Sequence, residues 1–213
     1  MNIYRRIVNF SLIFILLSFP TSFVHSKTVP SSFADLAEKL MPSVVNIAST
    51  QTIKTTSNPF KNFQFPPGSP FEDMFKEFNR PTERKATALG SGFIIDQKGI
   101  VVTNNHVIQG AEDIIVSVNG STEYKAKVIG TDPYMDLAVL QIESDEKFET
   151  VSFGDSDKSR IGDWVIAIGN PYGFGGTVTS GIISSRNRDI GLTRYDDFIQ
   201  TDASINVGNS GGP

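Results

Sequence analysis

The 213-residue sequence predicts an all-β fold of antiparallel sandwiches or barrels, entered through one short helix. Three observations carry that prediction. After Leu89 the apolar residues fall into short, closely spaced, β-branched runs; turn signals such as Asn119-Gly120 and Gln97-Lys98-Gly99 separate them; and helical periodicity is almost absent.

The elements follow in order. Arg5 and Arg6 precede the apolar run Ile7–Phe19, which breaks at Pro20 and leads into Val24-His25-Ser26. A basic start, a short apolar stretch and a small-residue exit describe a cleavable secretory signal over residues 1–26. The run is shorter than the ~18–20 apolar residues a spanning helix needs. A helix then opens the mature chain: Ser32 stands three residues before Asp35, as in a capping box, and Phe33, Leu36, Ala37 and Leu40 recur at helical spacing. Pro42 stops it, and Val44–Ile47 begins the β-structure.

From Gln51 to about Ala86 prolines and six phenylalanines replace strand alternation, which reads as a loop of residues 51–86. Within it Phe71, Met74, Phe75 and Phe78 share one helical face, either a flap on their own domain or a contact with another subunit. Strands are expected at Gly92–Ile95, Ile100–Thr103, Ile114–Val118, Tyr124–Ile129, Leu137–Ile142, Trp164–Ile168, Thr177–Ile183 and Phe198–Thr201. Residues 27–150 read as the helix and a first barrel, and 151–213 as a second.

Composition narrows the function. With 39% hydrophobic and 20% charged residues the chain has the balance of an ordinary globular protein. A net charge of −4 and no basic arm argue against a nucleic-acid partner. The absence of cysteine removes disulfides, thiolate nucleophiles and iron–sulfur ligation, and two histidines, His25 and His106, are too few for a His-rich metal site. No metal or cofactor is expected. His25 leaves with the signal, so the mature chain keeps His106 alone.

Three segments can carry chemistry: Thr103-Asn104-Asn105-His106-Val107, Asp132-Pro133-Tyr134-Met135-Asp136-Leu137, and Gly208-Asn209-Ser210-Gly211-Gly212. Glycines flanking Ser210 allow close approach of a ligand and let successive N–H groups face one concavity, as a developing oxyanion requires. A serine hydroxyl needs a base, imidazole is the natural one near neutral pH, and an acid must fix its tautomer. That acid is Asp136 or Asp132, although Asp132-Pro133 is a ready turn initiator. Asp202 reads as a structural hydrogen-bonding residue. Gly173-Phe174-Gly175-Gly176 lacks the ending of a phosphate loop and reads as a hairpin. The order His106, Asp136, Ser210 is that of chymotrypsin-like barrels, not of subtilisin or the α/β-hydrolases.

These segments resemble the three catalytic motifs of the HtrA/DegP serine proteases. Leu89-Gly90-Ser91-Gly92-Phe93-Ile94-Ile95, Ile168-Gly169-Asn170-Pro171 and Gln200-Thr201-Asp202-Ala203-Ser204-Ile205-Asn206 extend the likeness over nearly all of residues 32–213. The resemblance implies a chymotrypsin/trypsin-like double antiparallel β-barrel and a periplasmic serine endopeptidase acting on unfolded or misfolded polypeptides without a cofactor. It implies His106 as general base and acid, Asp136 as its orienter and Ser210 as nucleophile. The oxyanion hole would be formed by Gly208 and Ser210 with Asn209 between them, and Ile205 would border a specificity pocket suited to small apolar side chains. It further implies a trimer-based homo-oligomer through the Phe-rich loop, and at most an association with the membrane surface.

Pro213 follows directly on the serine motif, where the resembled fold continues with further strands and, later, peptide-binding PDZ modules. The expectation is a fragment of a longer protein or a truncated gene product. Its second barrel would be incomplete and its own protease activity slight or nil. The rival reading is a binding or chaperone-like module for unfolded chains.

Overall fold

The computed structural model describes residues 29–55, 82–170, 176–192 and 195–213. The secretory signal, the aromatic face of Phe71–Phe78 and most of the Gly173–Gly176 segment lie outside them. Two compact units are separable, Met1–Ser32 and Phe33–Pro213, and the elements below belong to the second.

Helix α1 (Ala34–Leu40) follows Phe33, whose side chain makes no capping hydrogen bond. Met41–Ser43 tightens into a 3₁₀ turn with Pro42 at its start, and the chain enters β1 (Val44–Thr55). There follow β2 (Thr82–Asp96), β3 (Ile100–Asn104), the short helix α2 (Asn105–Ile108), β4 (Asp113–Val118), β5 (Thr122–Asp132) and β6 (Leu137–Ile142). These six strands close into a barrel in the order β1-β2-β3-β6-β5-β4. The second part is a three-stranded antiparallel sheet of β7 (Trp164–Gly169), β8 (Thr177–Arg188) and β9 (Phe198–Thr201). The chain is therefore all-β with a short N-terminal helix, one barrel closed and its second half a three-stranded sheet.

Period-2 patterning explains the barrel. Val45 and Ile47 of β1, Val101 of β3, Val116 of β4 and Leu140 of β6 point inward and are fully buried, and Ile94 of β2 joins them. Both expected turns form. Asn119 and Gly120 have φ of 50° and 69°, as the tight β4–β5 hairpin demands, and Gly99 turns β2 into β3 at φ 84°. Several strands outgrow their sequence signals, β5 reaching Asp132 and β8 reaching Arg188, and the β1–β2 pair does so most. Residues 51–55 and 82–86, read from sequence as part of the loop, instead extend the β1–β2 ladder as far as Thr55↔Thr82. Backbone pairing with an already registered neighbour carries a strand past the point where its side chains stop alternating.

The second sheet is joined to the barrel by buried side-chain hydrogen bonds rather than by a strand. Asn46 Nδ2, near the start of β1, donates to the carbonyls of Gly90 (3.2 Å) and Asn170 (2.9 Å). At the opposite end of β7, the ring of Phe33 ahead of α1 lies 5.8 Å from that of Trp164.

Candidate active site

Antiparallel register brings the first two candidate residues together. β3 pairs with β6 through Thr103↔Ala138 and Asn104↔Leu137, so one step further along each strand lie Asn105 and Asp136. The Asn105 N–H donates to the Asp136 carbonyl at 3.0 Å, and Asn104 Nδ2 donates to the same oxygen at 2.8 Å. Immediately after β3 the chain turns into α2, which the sequence had not signalled. Its Val107 and Ile108 are buried, anchoring the turn, while His106 projects from it. Ser49 Oγ fixes the Val107 carbonyl at 2.6 Å. Gly90 makes room below, because a Cβ there would fall 2.6 Å from Val107 Cγ1.

The Asp136 carboxylate grips His106 twice. Oδ1 accepts the His106 backbone N–H at 2.8 Å and Oδ2 lies 2.6 Å from the ring Nδ1. A neutral imidazole that donates Nδ1–H to a carboxylate keeps Nε2 as its acceptor; the tautomer is assigned from these partners. Asp136 itself has φ 51°, a left-handed backbone that costs a non-glycine residue about 1–2 kcal/mol. With side chains 53% and 40% exposed, the pair contributes little to stability, so its consequence is orientation rather than anchoring. Asp132 faces elsewhere: its Oδ1 accepts the N–H groups of Tyr134 (2.9 Å) and Met135 (3.1 Å), initiating the turn ahead of Asp136.

The serine segment is held by its main chain. Asn206 to Asn209 form a turn closed by the Asn209 N–H on the Asn206 carbonyl at 3.0 Å, with Gly208 in its third position at φ 96°, where glycine is required. The Ser210 carbonyl accepts the Ser91 N–H at 2.8 Å, and the Gly208 carbonyl accepts Ser91 Oγ at 2.6 Å. Gly211 lies so close to β3 that a Cβ would fall on Thr103 Oγ1 and the Ser91 carbonyl. Ser210 is therefore seated at the end of the barrel that carries His106. Among the described residues its hydroxyl makes no hydrogen bond with the imidazole.

The Asn209 N–H is spent in the turn, whereas the N–H groups of Gly208 and Ser210 donate to no acceptor among the described residues. Two uncommitted donors on either side of one residue are what an anion needs. Asn209 contributes differently: its side chain is buried against the α-carbon of Gly169, with neither polar atom hydrogen-bonded. Ile205 stands 60% exposed just before this turn. Asp202 Oδ1 accepts the Ile182 N–H at 2.7 Å, a structural role.

Sequence reasoning gave no role to Asn46, Ser91, Thr103, Asn104 or Asn170. Polar residues interrupting apolar strands were the available signal, Asn46 within Val44–Ile47 being the plainest case.

A family model described as a trypsin-like peptidase domain matches residues 90–213. A "Probable periplasmic serine endoprotease DegP-like" of Brucella suis is 45% identical over 218 residues, covering 89% of this chain and 42% of the relative. One of the same description from Rickettsia conorii is 48% identical over 200 residues, covering 88% and 39%. Among solved structures, the HtrA-type protease AlgW with tripeptide superposes with a TM-score of 0.65 at 39% identity, covering 85% of this chain and 49% of that one. The chain thus spans about two fifths of the length of these curated relatives.

Proposed function

The chain belongs to the trypsin-like peptidase family, and on that premise we propose that it carries the catalytic residues of an HtrA/DegP-like serine endopeptidase, exported to the periplasm and cleaving unfolded or damaged polypeptides. The observation that carries the reading is the double grip of Asp136 on His106, at 2.8 and 2.6 Å. It presents the imidazole in the tautomer a general base needs.

In this mechanism His106 Nε2 takes the proton of Ser210 Oγ as that oxygen attacks the scissile carbonyl carbon. The negative charge moves onto the carbonyl oxygen, where the N–H groups of Gly208 and Ser210 receive it. His106 then gives its proton to the departing amine, leaving an ester on Ser210. Water, deprotonated by the same imidazole, hydrolyses that ester and restores the hydroxyl. Asp136 stabilises the imidazolium throughout without itself taking a proton. Ile205 borders the pocket for the residue ahead of the scissile bond and favours small apolar side chains. Side chains and backbone supply every step, so no cofactor is invoked. We further read residues 1–26 as the export signal, 27–150 and 151–213 as the two barrel halves, and the Phe-rich loop as the contact of a trimer-based homo-oligomer.

The rival is a binding module without chemistry, and the exposed apolar side chains of Phe198 and Ile199 on β9 and of Ile190 and Leu192 between β8 and β9 are in its favour. A fluorophosphonate probe separates the two. Applied to the full-length protein that carries this chain, it is expected to label Ser210 and to lose that label in His106→Ala. Absence of labelling in folded parent protein would leave only the binding module.

A further inference from the structure

We propose that Ser91 is a positioning residue for acyl transfer at Ser210, an inference that rests on the reading above. Ser91 is fully buried in β2 and bonds through every polar group it has. Its Oγ donates to the Gly208 carbonyl at 2.6 Å and accepts the Asn170 N–H at 2.9 Å. Its N–H donates to the Ser210 carbonyl at 2.8 Å, and its own carbonyl accepts Thr103 Oγ1 at 2.7 Å. One residue therefore ties together the serine segment, the end of β7 and the strand that leads to His106.

The geometry gives these bonds a consequence for the oxyanion site. The Gly208 carbonyl and the Asn209 N–H belong to one planar peptide. Ser91 Oγ holds the first and the Asn206 carbonyl the second, so that plane is tethered at both edges. The Gly208 N–H then hangs from a fixed α-carbon, and only the two backbone rotations of Gly208 itself, about N–Cα and Cα–C, redirect it. On the other side of Asn209, the Ser210 carbonyl is held by the Ser91 N–H, which constrains the segment carrying the second donor. The buried Asn209 side chain, with no hydrogen bond of its own, cannot do this work. Oxyanion donors must be held within about 0.5 Å of their productive place. In this fold Ser91 supplies the polar restraint.

The test compares Ser91→Ala and Ser91→Cys with the parent in the full-length protein, using a chromogenic peptide ester and the fluorophosphonate probe. Ser91→Ala is expected to lower kcat and the labelling rate roughly 10- to 100-fold, less than the 10²–10³ lost when an oxyanion donor is deleted outright, with KM within about twofold. The Nδ1–H proton resonance of His106 should stay where it is in the parent, because the His106–Asp136 contact does not pass through Ser91. Ser91→Cys, whose thiol is a weaker donor, should lie between the two, and it serves as the reading if the alanine variant does not fold. Parental kcat in either folded variant overturns the proposal, as does a loss confined to KM or one that disappears on cooling the sample. A folded parent with no turnover and no label refutes the serine-hydrolase reading instead, and this inference falls with it.

Discussion

Asp136 concentrates the local conflict of the site into one residue. Its left-handed backbone is unfavourable, yet its carbonyl collects two donors and its carboxylate two more, all from Asn104, Asn105 and His106. Strain held in place by surrounding hydrogen bonds is characteristic of functional positions. Replacing the carboxylate by an amide tests its role. In Asp136→Asn the new NH₂ must face either the His106 N–H or Nδ1, and the imidazole is driven towards the other tautomer. Turnover of a peptide substrate is expected to fall about 10⁴-fold. Because the pair is substantially exposed, the melting temperature should barely move. Near-parental turnover in this variant would remove Asp136 from the mechanism.

At the level of elements, the β4–β5 hairpin shows how turn chemistry and a side-chain strap cooperate. Asn119 and Gly120 set the turn, and Tyr124 of β5 then stacks edge-on against Phe148 with ring centroids 5.4 Å apart. The Tyr124 hydroxyl donates to Glu146 at 2.7 Å, strapping the segment after β6 onto β5. That hydrogen bond, helped by desolvation and the Glu146 charge, raises the phenol above its ordinary value near 10. A phenol raised in the folded state adds stability that is fully present below the unfolded value and is lost as pH rises through the folded one. Glu146→Gln should therefore bring the Tyr124 titration back towards ~10, followed by its ring resonances, and flatten the stability profile in that alkaline window. A Tyr124 midpoint that ignores the substitution would disprove the strap.

For the molecule as a whole, the decisive feature is the polar joint between the barrel and the second sheet. Asn46, Ser91, Thr103 and Asn170 are all buried, and their hydrogen bonds span residues as far apart as 124 positions in the chain. Asn46→Ala withdraws the donor from two buried carbonyls, those of Gly90 and Asn170. The expected cost is about 1–3 kcal/mol for each carbonyl left unsatisfied, read from urea unfolding. Combined with Ser91→Ala it should depart from additivity by about 0.5–3 kcal/mol, because both side chains act on Asn170. Strict additivity would mean that the two hydrogen bonds are independent and the joint is not a unit.

Much of this was legible along the chain, for a physical reason. Strand positions, the Asn119-Gly120 and Gly99 turns, and the Asp132 turn depend on period-2 burial and on backbone preferences within a few residues, both of which are written locally. Leu137–Ile142 and Phe198–Thr201 are strands over the very residues expected. The residue types and order of His106, Asp136 and Ser210 likewise stand in the sequence, together with the glycines the serine turn needs. What the sequence could not specify depends on partners brought in from far away. Barrel closure sets β3 beside β6 and so lays Asp136 against His106; it extends β1 and β2 into the Phe/Pro region and bends the chain after Asn104 into a helical turn. The same closure turns Ser91, an unremarked serine between two glycines, into the tether of Gly208 and Ser210. A hydrogen bond across a hundred residues leaves no local periodicity behind it, so only the folded chain reveals which polar groups it joins.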